Sequence, residues 1–224
     1  MNKKYTLLKS DTITVFGKTL FRIKAKIAFG AVDKGEKGGY IEREANLQVY
    51  GDAWVYGDAR VYGNALVYGD AWGCGNARVY GNAWVYGNAR VSGDAWVSGD
   101  ARVSGDAWVS GDALVYGNAR VYGNALVYDN ARVYGDAWVY GDARVYGNAQ
   151  VSVKVFNLIF CCEFSCSAYQ QKDIGLSVQI GCKLHSVKEW KKIFKNEVYL
   201  NLCKNKDEYK KCEMAFKYVV KIAS

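Results

Sequence analysis

The sequence predicts a mainly β protein built as a three-sided parallel β-helix of about 18 residues per coil. Three observations carry that expectation. From Gly51 to Ser152 the chain runs as seventeen hexads without insertion or deletion, beginning GDAWVY, GDARVY, GNALVY. Within each hexad Ala and Val stand two apart, so an extended backbone points both to one side and the residues after them to the other. The outward residue after Ala alternates through the middle of the array: Trp72, Arg78, Trp84, Arg90, Trp96, Arg102, Trp108.

A short strand with one small apolar side cannot bury that side alone. Stacked in coils, each strand gains a parallel partner above and below, and Ala and Val close a narrow dry interior. The Gly-Asp or Gly-Asn pair makes each corner, because Gly accepts left-handed angles and Asp or Asn tolerates them. The alternation decides the number of sides. Two hexads per coil would stack Arg78, Arg90 and Arg102 at a spacing of about 4.8 Å, which repels. Three hexads place Arg90 between Trp72 and Trp108, and Arg102 above Trp84, as cation–π pairs. Duplication of a twelve-residue unit is the competing reason for the alternation.

The ends read as covers for the open edges of the solenoid. Residues 1–40 are expected as an N-terminal β cap, with strands at YTLL and TITVF, a turn at Gly17-Lys18 and a strand at TLFRIKAKIAF. The repeat domain spans 41–152. Residues 153–224 are expected as a small α+β cap or interaction domain. Its strands are VSVKVFNLIFCCEF and GLSVQIGC. A capping box at Ser186-Val187-Lys188-Glu189 opens a helix carrying Val187, Trp190, Ile193 and Phe194 on one side. A second helix over about 207–222 has Tyr209, Cys212, Phe216, Val219 and Val220 as its apolar stripe.

The units VYGDAR and VYGNAL resemble the hexapeptide pattern of left-handed parallel β-helix proteins, an aliphatic residue followed four positions on by a small one. The resemblance covers Ile41 to Ser152 and implies a left-handed coil. GEKGGYIEREANL (35–47) and KDIGLSVQIGCKLHSVKEW (172–190) look like segments of phage- and prophage-encoded hexapeptide-repeat proteins. That resemblance implies a phage context and assigns no chemistry.

Charge is distributed unevenly. Residues 1–50 hold ten Lys and Arg against five acids, a balance of +5; residues 51–150 hold seven Arg against ten Asp, −3; residues 151–224 hold thirteen Lys against seven acids, +6. A nucleic-acid-binding shaft would carry its positive charge along its length. Here the ends are basic. Direct nucleic-acid contact is therefore expected, if anywhere, through the ends, with Lys188, Lys191, Lys192 and Lys195 as candidates; a solvated helix face is the plainer reading of such a run. No run approaches the roughly 18 apolar residues of a membrane span, and the first twenty residues show no secretory signal, so a cytoplasmic protein in a bacterial host is expected. The seven cysteines are read as reduced thiols.

Chemistry is sparse. Many proteins with this repeat are acyltransferases that use a histidine beside a projecting loop, and some are zinc carbonic anhydrases. This chain has a single histidine, His185, outside the repeat, and the hexads leave no loop. An acyltransferase-like enzyme using His185 remains the enzymatic alternative; no catalytic residue and no cofactor is expected. Cys161, Cys166, Cys182 and His185 are weak zinc candidates, because Cys182-x-x-His185 has ligand spacing but the first pair lacks a tight C-x-x-C. Buried apolar thiols are the competing reading.

The second outward position, after Val, is Tyr along most of the array and Ser at 92, 98, 104 and 110. The aromatic coat is either a partner surface or a self-stacking layer. The serine block should wrap the prism as a shallow waist, with Arg90, Trp96, Arg102 and Trp108 beside it, and is the candidate contact zone. The expected function is a non-enzymatic interaction protein, best placed as a host-directed defence inhibitor of anti-CRISPR type acting by steric block on a nucleic-acid-handling complex. A structural protein forming homo-oligomeric trimers or bundles is the alternative.

Overall fold

The computed structural model describes residues 2–152, 155–156, 166–171, 175–180, 183–196 and 206–223. Strands β1 (Tyr5–Val15), β2 (Lys18–Ala25) and β3 (Lys37–Ile41) precede seventeen two-residue strands, β4 to β20, which run at six-residue intervals from Trp54–Val55 to Gln150–Val151. Each of these pairs in parallel with the strand eighteen residues away: Trp72 with Arg90, Arg90 with Trp108, Trp84 with Arg102, Arg78 with Trp96. Three sheets result, one per side. The eighteen-residue coil expected from the Trp/Arg alternation is the coil observed.

The interior is the row of Ala and Val. From Ala83 to Val139 every one of them is essentially inaccessible. Backbone N–H groups of one coil donate to carbonyls of the next, as from Trp84 to Ala101 and from Tyr86 to Val103. At the corners Gly takes positive φ, and the coils approach closely: a Cβ on Gly99 (φ 68°) would lie 2.9 Å from the Gly117 nitrogen. One corner departs from this, with Asp129 standing in the glycine position at φ 58°.

The hydrogen-bond direction leaves the first coil with carbonyls facing outward, and the N-terminal segment supplies the donors. Lys4 Nζ donates to the carbonyls of Gly51 (2.8 Å) and Ala53 (2.9 Å). Asn46 Nδ2 donates to Gly63 and Ala65, and Arg43 to Gly63. The N–H groups of Tyr40, Glu42 and Gln48 complete the row. Burial pushes the Lys4 ammonium down to about 8, against nearby Asp52 and Asp70. β3 lies so close to the first coil that a Cβ on Gly38 would meet the Val55 carbonyl at 2.5 Å, and one on Gly39 the Ala59 carbonyl at 2.4 Å. The Gly-Gly pair is therefore a packing requirement of the cap.

Three sequence expectations change here. Trp54, placed outward by the pattern, is fully buried between Tyr5 and Phe29 because the cap folds over the first coil. β1 is one strand with a bulge between Leu8 and Thr12, where two strands were expected. The hairpin turn is Phe16-Gly17, one residue earlier than Gly17-Lys18, because a two-residue hairpin loop of this type needs positive φ at both positions, and they have φ 49° and 74°.

Beyond the repeat, β21 (Val155–Phe156), β22 (Cys166–Gln171), β23 (Gly175–Ile180) and β24 (Lys183–Ser186) form an antiparallel sheet, with α1 (Val187–Lys195) and α2 (Lys206–Ala223). Ser186 and Glu189 form the expected capping box, which holds the Glu189 carboxyl below its ordinary value. Trp190, Phe194, Tyr209, Cys212 and Phe216 pack with Val178 and Ile180 into a separate core.

Two glycines test the packing account by thermal melts. Gly99→Ala should cost about 1–2 kcal/mol, because a side chain is forced into left-handed backbone. Gly73 stands where the repeat has Val, without positive φ, and an added Cβ meets nothing nearer than 3.8 Å. Gly73→Ala should therefore gain about 0.4–1 kcal/mol. Lys4→Met should cost about 1–3 kcal/mol, because a buried carbonyl, that of Ala53, and the partly buried one of Gly51 lose their donor.

Candidate functional site

The register converts the outward residues into columns running along the shaft, each rung eighteen residues from the next. Four arginines lie on tryptophans: Arg90 over Trp72 (4.9 Å), Arg102 over Trp84 (4.9 Å), Arg78 over Trp96 (4.8 Å) and Arg120 over Trp138 (5.1 Å). Arg90 stands between Trp72 and Trp108 as expected, and its guanidinium lies over Trp72. Like charges are not wholly avoided: Arg102 pairs in register with Arg120, and Arg60 with Arg78. The alternation shifts phase after Trp108, where Leu114 stands, and Arg102 and Arg120 turn to tryptophans on opposite sides.

Tyrosines form the neighbouring columns and stack on one another. Tyr62 and Tyr80 are 5.1 Å apart with rings 2° from parallel, Tyr68 and Tyr86 4.9 Å and 4°. Tyr116–Tyr134, Tyr122–Tyr140 and Tyr128–Tyr146 repeat the arrangement at 5.1–5.4 Å. Burial, and next the neighbouring phenol, raises the hydroxyls of Tyr62, Tyr68 and Tyr128 above the ordinary tyrosine range. Much of the aromatic coat is thus covered by itself.

The four serines interrupt all three columns at one level. Ser98 stands between Tyr80 and Tyr116, and Ser104 between Tyr86 and Tyr122, each a single missing rung. In the third column Ser92 and Ser110 follow Cys74, so three small residues separate Tyr56 from Tyr128. Pattern reading by hexad missed Cys74 as part of the belt; counting by eighteen finds it. Burial raises the Cys74 thiol above its ordinary value. Trp108 Nε1 donates to Ser92 Oγ at 2.9 Å. Around the belt Trp108 (44% exposed) and Tyr116 (37%) are among the most open aromatic side chains of the shaft.

The corners carry their own ladder. Asn82 donates to Asp100, Asn88 to Asp106, Asn118 to Asp136 and Asn124 to Asp142, each at 2.9 Å. Alternating Asn with Asp at eighteen-residue spacing gives carboxylates an amide neighbour, where two carboxylates would repel.

The remaining candidates lie in the C-terminal region. Lys188, Lys191, Lys192 and Lys195 are all exposed on α1, opposite buried Trp190 and Phe194. His185 is half-buried and packs edge-on against Trp190 at 5.1 Å. Of the zinc candidates, Cys161 and Cys182 lie outside the described residues, as does the side chain of Cys166; among the described residues no group of three or more metal-ligating side chains comes together. No helix among the described residues is long and apolar enough to cross a membrane.

The closed Ala/Val interior, the parallel in-register strands and the eighteen-residue coil define a repeat β-helix protein. Its hexads are similar to the YdcK β-solenoid repeat, which matches at residues 59–72, 74–87, 83–99, 95–111, 113–128, 119–135, 125–141 and 137–152. No curated protein matches the chain.

The belt makes a stability prediction independent of any partner. Ser98→Tyr with Ser104→Tyr should restore two columns, adding a few tenths to about 1 kcal/mol of stability per restored pair and raising the melting temperature. An unchanged or lowered melting temperature would mean that the gaps are not vacant rungs.

Proposed function

We propose that the protein is a non-catalytic interaction rod whose serine belt is the contact zone for a protein partner. The observation that supports this reading is the simultaneous break of three tyrosine columns at one level. Elsewhere the rings cover each other; at the belt they present faces and edges that another molecule can cover. The phage-like flanks at 35–47 and 172–190 extend the reading to a host-directed antagonist of a defence system, CRISPR or another, that acts by steric block in the bacterial cytoplasm. Among the described residues no histidine or lysine stands beside a belt serine to act as its base.

Affinity capture from host lysate tests it. The wild-type chain should retain a stoichiometric protein that the Ser92→Tyr, Ser98→Tyr, Ser104→Tyr, Ser110→Tyr variant loses while remaining folded. Equal capture by both, or capture of nothing, would end the reading. The four exposed lysines on one side of α1 favour a second reading, direct nucleic-acid contact. It requires binding that falls steeply with salt and weakens when these lysines become glutamine.

A further inference from the structure

At the upper edge of the belt a cleft of about 320 Å³ is lined by Trp108, Ser110, Gly111, Leu126, Tyr128 and Asp129. Three independent departures from the repeat meet there. Ser110 is a missing rung, so the face of Tyr128 away from Tyr146 looks into open space. Trp108 is the repeat tryptophan on which, among the described residues, no ring or guanidinium lies: Trp72, Trp84, Trp96 and Trp138 each carry an arginine, and Trp54 packs against Tyr5 and Phe29. Its next rung is Leu126. Asp129 replaces a corner glycine and holds φ 58°, a conformation that costs a non-glycine residue about 1–2 kcal/mol. Its Oδ2 accepts from the Gly147 N–H at 3.1 Å.

Asp129 thus places a carboxylate, held by the coil above it, beside an uncovered indole. Asp112 follows Gly111, Asp94 stands one coil below it, and among the described residues neither is in an ion pair. Two arginines flank the cleft in register: Arg90, one rung below Trp108, lies over Trp72 on its other side, and Arg144, one rung beyond Leu126, bears on Tyr128. Within the shaft, a guanidinium on an indole at 4.8–5.1 Å is the recurrent pairing, made four times. A planar cation on Trp108, donating to Oδ1 of Asp129, which accepts no hydrogen bond among the described residues, repeats that pairing and adds a charge-assisted hydrogen bond.

We propose that this cleft binds an arginine side chain from a basic protein segment, the guanidinium lying on Trp108 and donating to Asp129. The assignment rests on the belt being a contact zone, since Trp108 and Ser110 belong to both. Tyr128 and Leu126 cover the aliphatic stem of the arginine. Asp129 is the specificity-determining residue, because a glycine at that corner, as in the other repeats, would leave the lining of the cleft without a charged group.

Isothermal titration of the full chain with an acetylated tetra-arginine amide tests the site. The wild type should bind, and Trp108→Ala and Asp129→Gly should each weaken binding by about tenfold. Asp129→Gly restores the repeat and should melt at or above the wild type, so lost binding there is not lost folding. Binding unchanged in both variants, no binding up to about 1 mM peptide, or equal affinity for tetra-lysine would overturn the proposal. If the serine-to-tyrosine variant loses its captured partner while Asp129→Gly keeps it, the belt stands and the arginine site falls.

Discussion

The hydrogen-bonded register of eighteen residues is the constraint from which the rest of the shaft follows. Once Trp84 N–H donates to Ala101 and Tyr86 to Val103, every outward side chain has its neighbours chosen for it, above and below, at strand spacing. Side chains eighteen residues apart then bear on one another, and for charged groups an unlike neighbour is the commoner arrangement. Arginine meets tryptophan at four places and asparagine donates to aspartate at four corners, with Arg60/Arg78, Arg102/Arg120 and Asp94/Asp112 as exceptions, while tyrosine, which stacks well on tyrosine, repeats. The surface pattern is therefore written at a period of eighteen even though the backbone unit is six.

The same ladder has a direction, and that direction explains part of the charge. N–H groups point toward the following coil, so the first coil ends in carbonyls. A carbonyl-terminated end needs donors, and Lys4, Arg43 and Asn46 provide them with their side chains. Arg22 reaches the Gly38 carbonyl, pairs with Asp11 and Asp58, and lies over Tyr40. Several of the basic residues of the N-terminal segment are thereby engaged in covering an edge. That weakens the N-terminal end as a nucleic-acid surface and leaves the exposed lysines of α1 as the better candidate for such contact.

Coil size, interior and helix α1 were legible in the sequence because each rests on a short-range rule repeated many times or on a local motif. Ala and Val two apart, the Trp/Arg alternation and the Ser186–Glu189 capping box need no knowledge of distant contacts. What escaped the pattern depends on an element folding back or on a phase change. Trp54 sits in the same hexad, GDAWVY, as the partly exposed Trp138, yet it is buried, since only the first coil receives the cap with its Gly38 and Gly39. Arg102 and Arg120 meet because Leu114 shifts the alternation, an effect visible only when residues are counted by eighteen. Asp129 departs from the corner glycine, which the hexad reading passed over, and its meaning needed the Trp108 ring in the same cleft and the Gly147 N–H above it.

A completed stack of rings is a poor binding surface, because each face is already covered by its neighbour at about 5 Å and only edges remain. A solenoid coated in tyrosine can therefore be soluble and selective at once, provided that the stacks are broken where contact is wanted. The serine belt breaks the stacks, and its position is set by four small side chains without any change in the backbone. The cleft at Trp108 lies at the upper edge of that belt. There the missing ring, the missing arginine and the strained aspartate coincide, although the fold requires none of them: glycine would relax the corner, and tyrosine or arginine would complete the columns. Two departures that forgo a stabilising contact and one that carries backbone strain, gathered around one cleft, are better explained by a molecule that supplies contacts there when bound than by the folding of the shaft alone.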